Sequence, residues 1–127
     1  MTLRLVIVDD APAVLRAASE LLEGQGVSVV GVAATGEEAL HLVQTLQPEV
    51  ILVDIDLGGE SGFDLARRLA GGPDGAAART ILISTYDEAD FAPLIADSPA
   101  IGFLPKSDLS AEEIHRLLAR AQAEGRY

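Results

Sequence analysis

Val50-Ile51-Leu52-Val53-Asp54 is an unbroken apolar run that ends on an acid. Runs of this kind are typical of parallel strands that are covered on both faces of their sheet. Three further runs have the same form, each with a polar or charged residue directly after it: Leu3 to Val8 before Asp9 and Asp10, Ile81 to Ile83 before Ser84, and Ile101 to Pro105 before Lys106.

The residues that follow these runs are expected to lie together. An open parallel sheet gathers the side chains at the carboxyl ends of its strands in one crevice. We therefore expect Asp9, Asp10, Asp54, Ser84 and Lys106 to meet in a single cleft. Three acids, a hydroxyl and a lysine can hold a hard cation and a phosphoryl group.

Length and composition predict one soluble globular domain spanning residues 1–127. The chain is 49% apolar and 23% charged, and its length is common for a single domain. It has no cysteine, which excludes disulfides and thiolate chemistry. The net charge of -11, with only nine Lys and Arg, argues against nucleic-acid binding by this domain alone.

The N-terminal run enters Asp9 without a cleavable signal pattern, and no apolar stretch is long enough to span a bilayer. We therefore predict a cytoplasmic protein with no membrane partner.

Helical spacing and capping signals separate the apolar runs. Thr35 with Glu38, and Ser110 with Glu113, have the spacing of a capping box. The predicted helices are Ala13 to Leu22, Thr35 to Leu46, Phe63 to Leu69, Ala89 to Ala96 and Ser110 to Ala123, and the remaining predicted strands are Val27 to Ala33 and Ala100 to Leu104. Pro93 indicates that the fourth helix either begins near it or is kinked there.

Strands alternate with helices along the whole chain, which predicts an α/β fold of five βα units. Right-handed crossovers then build a parallel sheet with helices on both faces. Asp74 to Ala78 are predicted to form a surface loop.

The chain resembles the receiver domains of bacterial two-component response regulators, and the resemblance covers essentially its whole length. The matching segments are Val8 to Asp10, Val53 to Leu57, Gly59 to Phe63, Ile83 to Ser84 and Gly102 to Ser107. The resemblance implies a flavodoxin-like, doubly wound sheet with strand order 2-1-3-4-5. The segment from Phe103 to Ser107 is similar to receivers of LuxR-type transcription regulators.

The resemblance assigns a role to each residue at the strand ends. Asp54 matches the phosphoacceptor, and Lys106 the lysine that pairs with the phosphoryl group. Asp9, Asp10 and Asp54, together with the main-chain carbonyl of Asp56, match the ligands of Mg²⁺. Ser84 and Phe103 match the switch pair, which changes the surface formed by the fourth helix, fifth strand and fifth helix.

The implied function is phosphorelay signalling, with a sensor histidine kinase as donor. The implied chemistry is limited to the chain's own phosphorylation and dephosphorylation, so the protein is not expected to be a turnover enzyme. Transcription is the expected output, through a separate protein or a domain beyond Tyr127, and a phosphorylation-dependent homodimer is a further expected partner. A standalone receiver remains an alternative.

The same residues also allow other interpretations. Asp10 could instead cap the first helix, Ser84 could be a turn hydroxyl, and Lys106 could be a solvated lysine. Asp54-Ile55-Asp56 also resembles the nucleophile motif of haloacid-dehalogenase-type phosphatases, although Gly58 departs from that motif. A receiver-like binding module that is never phosphorylated is the third alternative.

Three positions are less typical of receivers. Ser107 stands after Lys106 where many receivers have proline, so the peptide between them is either trans or a costly non-proline cis bond. Asp56 adds a carboxylate two residues after Asp54, and Tyr86 places a ring two residues after Ser84. We hypothesise that the Tyr86 ring shields an acyl phosphate from water.

Overall fold

A computed structural model describes residues 2–71 and 79–125. The strands are β1 Arg4–Val8, β2 Ser28–Ala33, β3 Val50–Asp54, β4 Arg79–Ser84 and β5 Gly102–Pro105. The helices are α1 Pro12–Gly24, α2 Gly36–Leu46, α3 Gly62–Gly71, α4 Ala92–Asp97 and α5 Ala111–Ala123. The predicted surface loop from Asp74 to Ala78 lies outside the described residues.

The five strands form one parallel sheet in the order β2-β1-β3-β4-β5. This confirms the predicted flavodoxin-like α/β fold. The central strand β3 is buried along its whole length, as its unbroken apolar sequence predicts. Successive residues of β1 point to opposite faces, so Leu5 and Ile7 pack with α1 and α5, while Val6 and Val8 pack with α2 and α3.

Local sequence signals set most of the helix boundaries. The Thr35 and Ser110 hydroxyls accept hydrogen bonds from the main-chain N–H groups of Glu38 and Glu113, at 3.2 and 3.1 Å. Both predicted N-caps are therefore confirmed. At the other end of α2, the Arg4 guanidinium donates to the carbonyls of Leu46 and Gln47, which have no partner within the helix ladder.

The fourth helical segment differs from the prediction. Glu88–Phe91 form a 3₁₀ turn, and α4 begins only at Ala92, with Pro93 in its first turn. Of the two alternatives for Pro93, a helix that begins near it is therefore confirmed. Proline is tolerated in the first turn because the N–H groups there have no partner within the helix. The predicted fifth strand also begins later, at Gly102, after Ile101 N donates to the Thr80 carbonyl at 2.8 Å.

The start of α3 lies very close to the main chain at the end of β3. Gly62 is buried at the start of α3, and a Cβ atom there would overlap the Asp54 carbonyl and lie 2.7 Å from the Ile55 Cα. Both neighbours are main chain and cannot move without shifting the end of β3. Glycine at position 62 therefore fixes how close the helix lies to Asp54.

We expect Gly62→Ala to lower the free energy of unfolding by about 3 kcal/mol, because the added methyl group overpacks the main chain of β3. Gly24→Ala is the matched control, since a Cβ at Gly24, the last residue of α1, meets no atom within 4 Å. It should be neutral or stabilising by up to about 1 kcal/mol. Urea unfolding measures both changes, and equal stabilities of the two variants would contradict the close packing of Gly62 on β3.

Candidate functional site

Lys106 links two buried carboxylates at the carboxyl edge of the sheet. Its Nζ lies 2.6 Å from Asp9 Oδ2 and 3.0 Å from Asp54 Oδ2. The Lys106 side chain is 17% exposed and that of Asp9 is fully buried, so these ion pairs are only weakly screened by water. Lys106 is therefore a paired lysine, and its interpretation as an ordinary solvated side chain is wrong.

The strand register explains why these residues meet. Asp54 of β3 lies beside Ile83 of β4, and Ser84 of β4 lies beside Pro105 of β5. Ser84 and Lys106 therefore each come one residue after the partner of the polar residue on the preceding strand. Asp9 directly follows β1, the other neighbour of β3, and its N–H donates to the Ala33 carbonyl at 3.0 Å. The structure thus brings Asp9, Asp54 and Lys106 together, as the strand ends predict.

Burial and charge act in opposite directions on the Asp54 carboxyl. Loss of hydration raises its pKa above the ordinary value, and the hydrogen bonds from the Asp56 N–H and Lys106 only partly offset this increase. A raised carboxyl pKa means that ionised Asp54 lowers the stability of the fold at neutral pH. That cost disappears as the pH falls through the folded-state pKa.

The Lys106 ammonium shows the opposite balance. Burial lowers its pKa, but the hydrogen bonds to Asp9 and Asp54 and the charges of these two acids together outweigh burial, so the net pKa is raised. Lys106 therefore stays charged at neutral pH, and its contribution to stability is lost only as the pH rises through the folded-state pKa.

Asp54 and Asp9 are each oriented by a nearby main-chain amide. Asp54 Oδ1 accepts from Asp56 N at 3.2 Å, and Asp9 Oδ1 accepts from Ala11 N at 2.9 Å. Asp54 is thus a turn-forming residue and a member of the acidic cluster at the same time.

Asp10 is exposed and lies against the loop between β3 and α3. A Cβ atom at Gly58 would lie 2.6 Å from Asp10 Oδ2, and Gly58 has a φ of +61°. Glycine at position 58 is therefore favoured by both backbone conformation and space. The N-cap of α1 is Ala11, with no side-chain cap hydrogen bond, so Asp10 does not cap that helix.

The acids offer a donor set that suits a small hard cation. Carboxylate oxygens of Asp9, Asp10 and Asp54 all lie within 4.8 Å of one another. With the Lys106 ammonium included, this cluster carries a formal charge of -2, from three carboxylates and one lysine. Oxygen ligands and excess negative charge are what Mg²⁺ requires, so the residues present fit the predicted ion.

The Asp56 carboxylate is exposed and accepts from Gly58 N at 3.1 Å.

The two predicted switch residues are both buried. Ser84 is 1% exposed, and its Oγ accepts from Tyr86 N at 3.0 Å, which is the turn role proposed as its alternative. Because this bond uses a lone pair, the hydroxyl can still donate its proton to another acceptor. Phe103 is 5% exposed and belongs to the core on the α2 and α3 side of the sheet.

Two of the unusual positions, Ser107 and Tyr86, have clear places in the structure. The described residues contain no cis peptide, so the peptide between Lys106 and Ser107 is trans. The Tyr86 ring packs against Phe91, with 5.9 Å between ring centroids, and remains 59% exposed.

Sequence reasoning did not identify Glu60, whose carboxylate accepts from Gly36 N at 3.2 Å. The segment that contains it, Gly59 to Phe63, matches the receiver pattern, but nothing local in the sequence indicates that this acid reaches α2.

None of the helices within residues 2–71 and 79–125 has the length and apolar content to cross a bilayer.

Comparison with known proteins identifies the family. The family model for the response regulator receiver domain matches residues 5–119 of this chain. The nitrate/nitrite response regulator NarP of Escherichia coli K12 is 34% identical over 123 residues, which cover 96% of this chain and 55% of NarP. The transcriptional regulatory protein YvfU of Bacillus subtilis 168, named as uncharacterized, is 31% identical over 82% of this chain and 52% of its own length.

Solved structures agree with this result. The receiver domain of the NarL response regulator from Mycobacterium tuberculosis superposes with a TM-score of 0.77 at 30% identity, covering 95% of this chain and 97% of that chain. A LuxR-family regulator from Aurantimonas sp. SI85-9A1 gives a TM-score of 0.82 at 28% identity, covering 97% and 87%. The chain spans about half the length of the curated relatives that it matches. With its strand order and the acidic cluster at the sheet edge, the chain belongs to the receiver domain family of two-component response regulators.

Proposed function

We propose that Asp54 accepts a phosphoryl group from a phosphohistidine of a sensor histidine kinase. The observation that carries this proposal is the buried Asp54 carboxylate at the end of the central strand, paired with Lys106 at 3.0 Å and close to two further acids. In the transfer, an Asp54 oxygen forms a bond to phosphorus as the phosphorus–nitrogen bond breaks. The imidazole nitrogen keeps the electron pair and takes up a proton.

Asp10 and Asp54 would ligate Mg²⁺ directly, Asp9 partly through water, and Asp56 through its main-chain carbonyl. When bound, Mg²⁺ supplies positive charge that lets an anionic carboxylate approach an anionic phosphoryl group. The Lys106 ammonium can exchange its contact with Asp54 for one with a phosphoryl oxygen, and its raised pKa keeps it charged for that contact. The Ser84 hydroxyl, which accepts from Tyr86 N, still has its proton to donate to a second phosphoryl oxygen.

An apolar groove of about 470 Å³ beside Lys106 supports docking of the phosphodonor at this edge. It is lined on the α1 side by Ala13, Val14, Ala17 and Leu21, and on the other side by Thr85, Ser107 and Leu109. Leu21 is 44% exposed. A helix of the kinase that packs into this groove would bring its phosphohistidine next to the acidic cluster.

We further propose that phosphorylation changes the surface formed by α4, β5 and α5. If Ser84 moves toward the phosphoryl group, space opens that the Phe103 ring can fill. Phe103 also borders a cleft of about 410 Å³ between α4 and α5, with Arg116 and Arg120 on its α5 side. A rearrangement of Phe103 would therefore reshape a surface that an output domain, an output protein or a second copy can contact.

Control of transcription is the output that the relatives support, because YvfU is named a transcriptional regulatory protein. In this proposal the chain acts in the cytoplasm, where its kinase and its target meet. It catalyses only its own phosphorylation by the donor and its own dephosphorylation, and it does not turn over a metabolic substrate.

Acetyl phosphate with Mg²⁺ tests the phosphoacceptor. We expect the chain to gain a single phosphoryl group by intact-mass spectrometry, and Asp54→Asn to abolish the gain because the amide cannot attack phosphorus. Asp56→Asn is the matched control: this acid is exposed and only two residues away, and the variant should still be phosphorylated. Catalytic release of phosphate would favour the phosphatase alternative, and no gain in the wild-type chain would favour the unphosphorylated binding module.

Magnesium should stabilise the metal-free protein. A ligand that binds only the folded state adds about 2.7 kcal/mol at a hundred times its dissociation constant, so the thermal midpoint should rise with Mg²⁺ concentration. Asp10→Asn should shift this response to at least about tenfold higher Mg²⁺, because it removes a proposed direct ligand. Glu20→Gln, on the exposed face of α1, should respond like wild type. A midpoint that does not depend on Mg²⁺ would rule out this metal site.

Tyr86→Ala tests whether the ring protects the acyl phosphate from water. The contact between Tyr86 N and Ser84 holds this residue beside the switch hydroxyl, and Phe91 supports its ring. We expect faster loss of the phosphoryl group in Tyr86→Ala, measured by intact mass over time, and an unchanged rate in Tyr86→Phe. Equal or slower loss in Tyr86→Ala would refute the shielding.

A further inference from the structure

Glu60 connects the loop after β3 to the start of α2. Its Oε2 accepts a hydrogen bond from Gly36 N at 3.2 Å, and Gly36 is the first residue of that helix. The carboxylate fills the space beside Gly36 so closely that a Cβ atom at position 36 would overlap it. A negative charge at this end of a helix is also favoured by the helix dipole.

The main chain of Glu60 belongs to a closed turn. Leu57 N donates to the Glu60 carbonyl at 2.9 Å, Gly62 N donates to the Ile55 carbonyl at 2.9 Å, and Asp56 forms an isolated bridge with Ser61. These bonds close residues 55–62 into one hydrogen-bonded unit. The Glu60 side chain attaches this unit to α2.

The same loop contacts two of the acids in the cluster. Asp56 N donates to Asp54 Oδ1 at 3.2 Å, and Gly58 lies directly against the Asp10 carboxylate. A shift of the loop would therefore alter the orientation of Asp54 and remove the support behind Asp10. The contact between Glu60 and Gly36 opposes that shift from outside the cluster.

We propose that Glu60 is a positioning residue that holds the loop on α2 and so keeps Asp10, Asp54 and the Asp56 carbonyl arranged for a divalent cation. The inference deepens the proposed function, on which its cation rests. Glu60 itself does not touch the cation or the phosphoryl group.

The test compares Glu60→Ala, Glu60→Gln and Glu38→Ala with wild type. Glutamine keeps an oxygen that can accept from Gly36 N but removes the charge. Glu38 is the matched control, since it is an exposed acid at the same helix start whose side chain contacts Thr35 and not the loop. The readouts are the Mg²⁺ dissociation constant by calorimetry and amide hydrogen exchange of residues 56–61 in the metal-free protein.

We expect Glu60→Ala to weaken Mg²⁺ binding about tenfold, as for the loss of other residues that orient metal ligands. Exchange at the loop amides should become faster in the same variant. Glu60→Gln should stay close to wild type in both readouts, and Glu38→Ala should leave both unchanged.

Wild-type exchange and affinity in Glu60→Ala would overturn the inference, and a Glu60→Gln variant as impaired as Glu60→Ala would overturn the role of the hydrogen bond from Gly36 N. A wild-type chain that does not bind Mg²⁺ would refute the proposed metal site instead. In that case hydrogen exchange in the metal-free protein still decides whether Glu60 anchors the loop.

Discussion

The pairing of one ammonium with two buried carboxylates is the interaction on which the site depends. Parallel strands that end at one edge force Asp9 and Asp54 together, and Asp9 is fully buried. Two such acids would repel each other without the Lys106 Nζ, which lies within 3.0 Å of both. Removing one partner of a buried ion pair commonly costs about 3–5 kcal/mol, so the cluster acts as a unit. The charge that remains negative suits the cation that we propose for the cluster.

The second constraint is the close approach of main chain to this cluster. Gly62 allows α3 to start against the Asp54 carbonyl, and Gly58 allows the loop to lie against Asp10. These glycines therefore place the loop where the Asp56 amide can orient Asp54. Two features of the fold therefore position the acids: the register of the strands and the close approach of the loop after β3. The absence of a side chain at positions 58 and 62 is thus required for the geometry of the site.

Signals that are local in sequence predicted the fold well. Apolar runs ended by polar residues gave the strands, and the capping boxes at Thr35 and Ser110 form as expected because each needs only neighbouring residues. The strand ends also predicted the clustering of Asp9, Asp10, Asp54 and Lys106, since parallel topology brings such ends together. The 3₁₀ turn before α4 was missed because apolar spacing does not distinguish it from an α-helical turn. The contact between Glu60 and Gly36, separated by 24 residues, depends on the packing of α2 beside the loop and leaves no local signal.

The proposed function depends on Asp54 alone forming the acyl phosphate. Borohydride reduces an acyl phosphate of aspartate to homoserine, so the site of phosphorylation can be read by tandem mass spectrometry of peptides. After treatment with acetyl phosphate and Mg²⁺, we expect homoserine at position 54, with Asp9, Asp10 and Asp56 unmodified. Homoserine at any of those three neighbouring positions, or at none of the four, would contradict it.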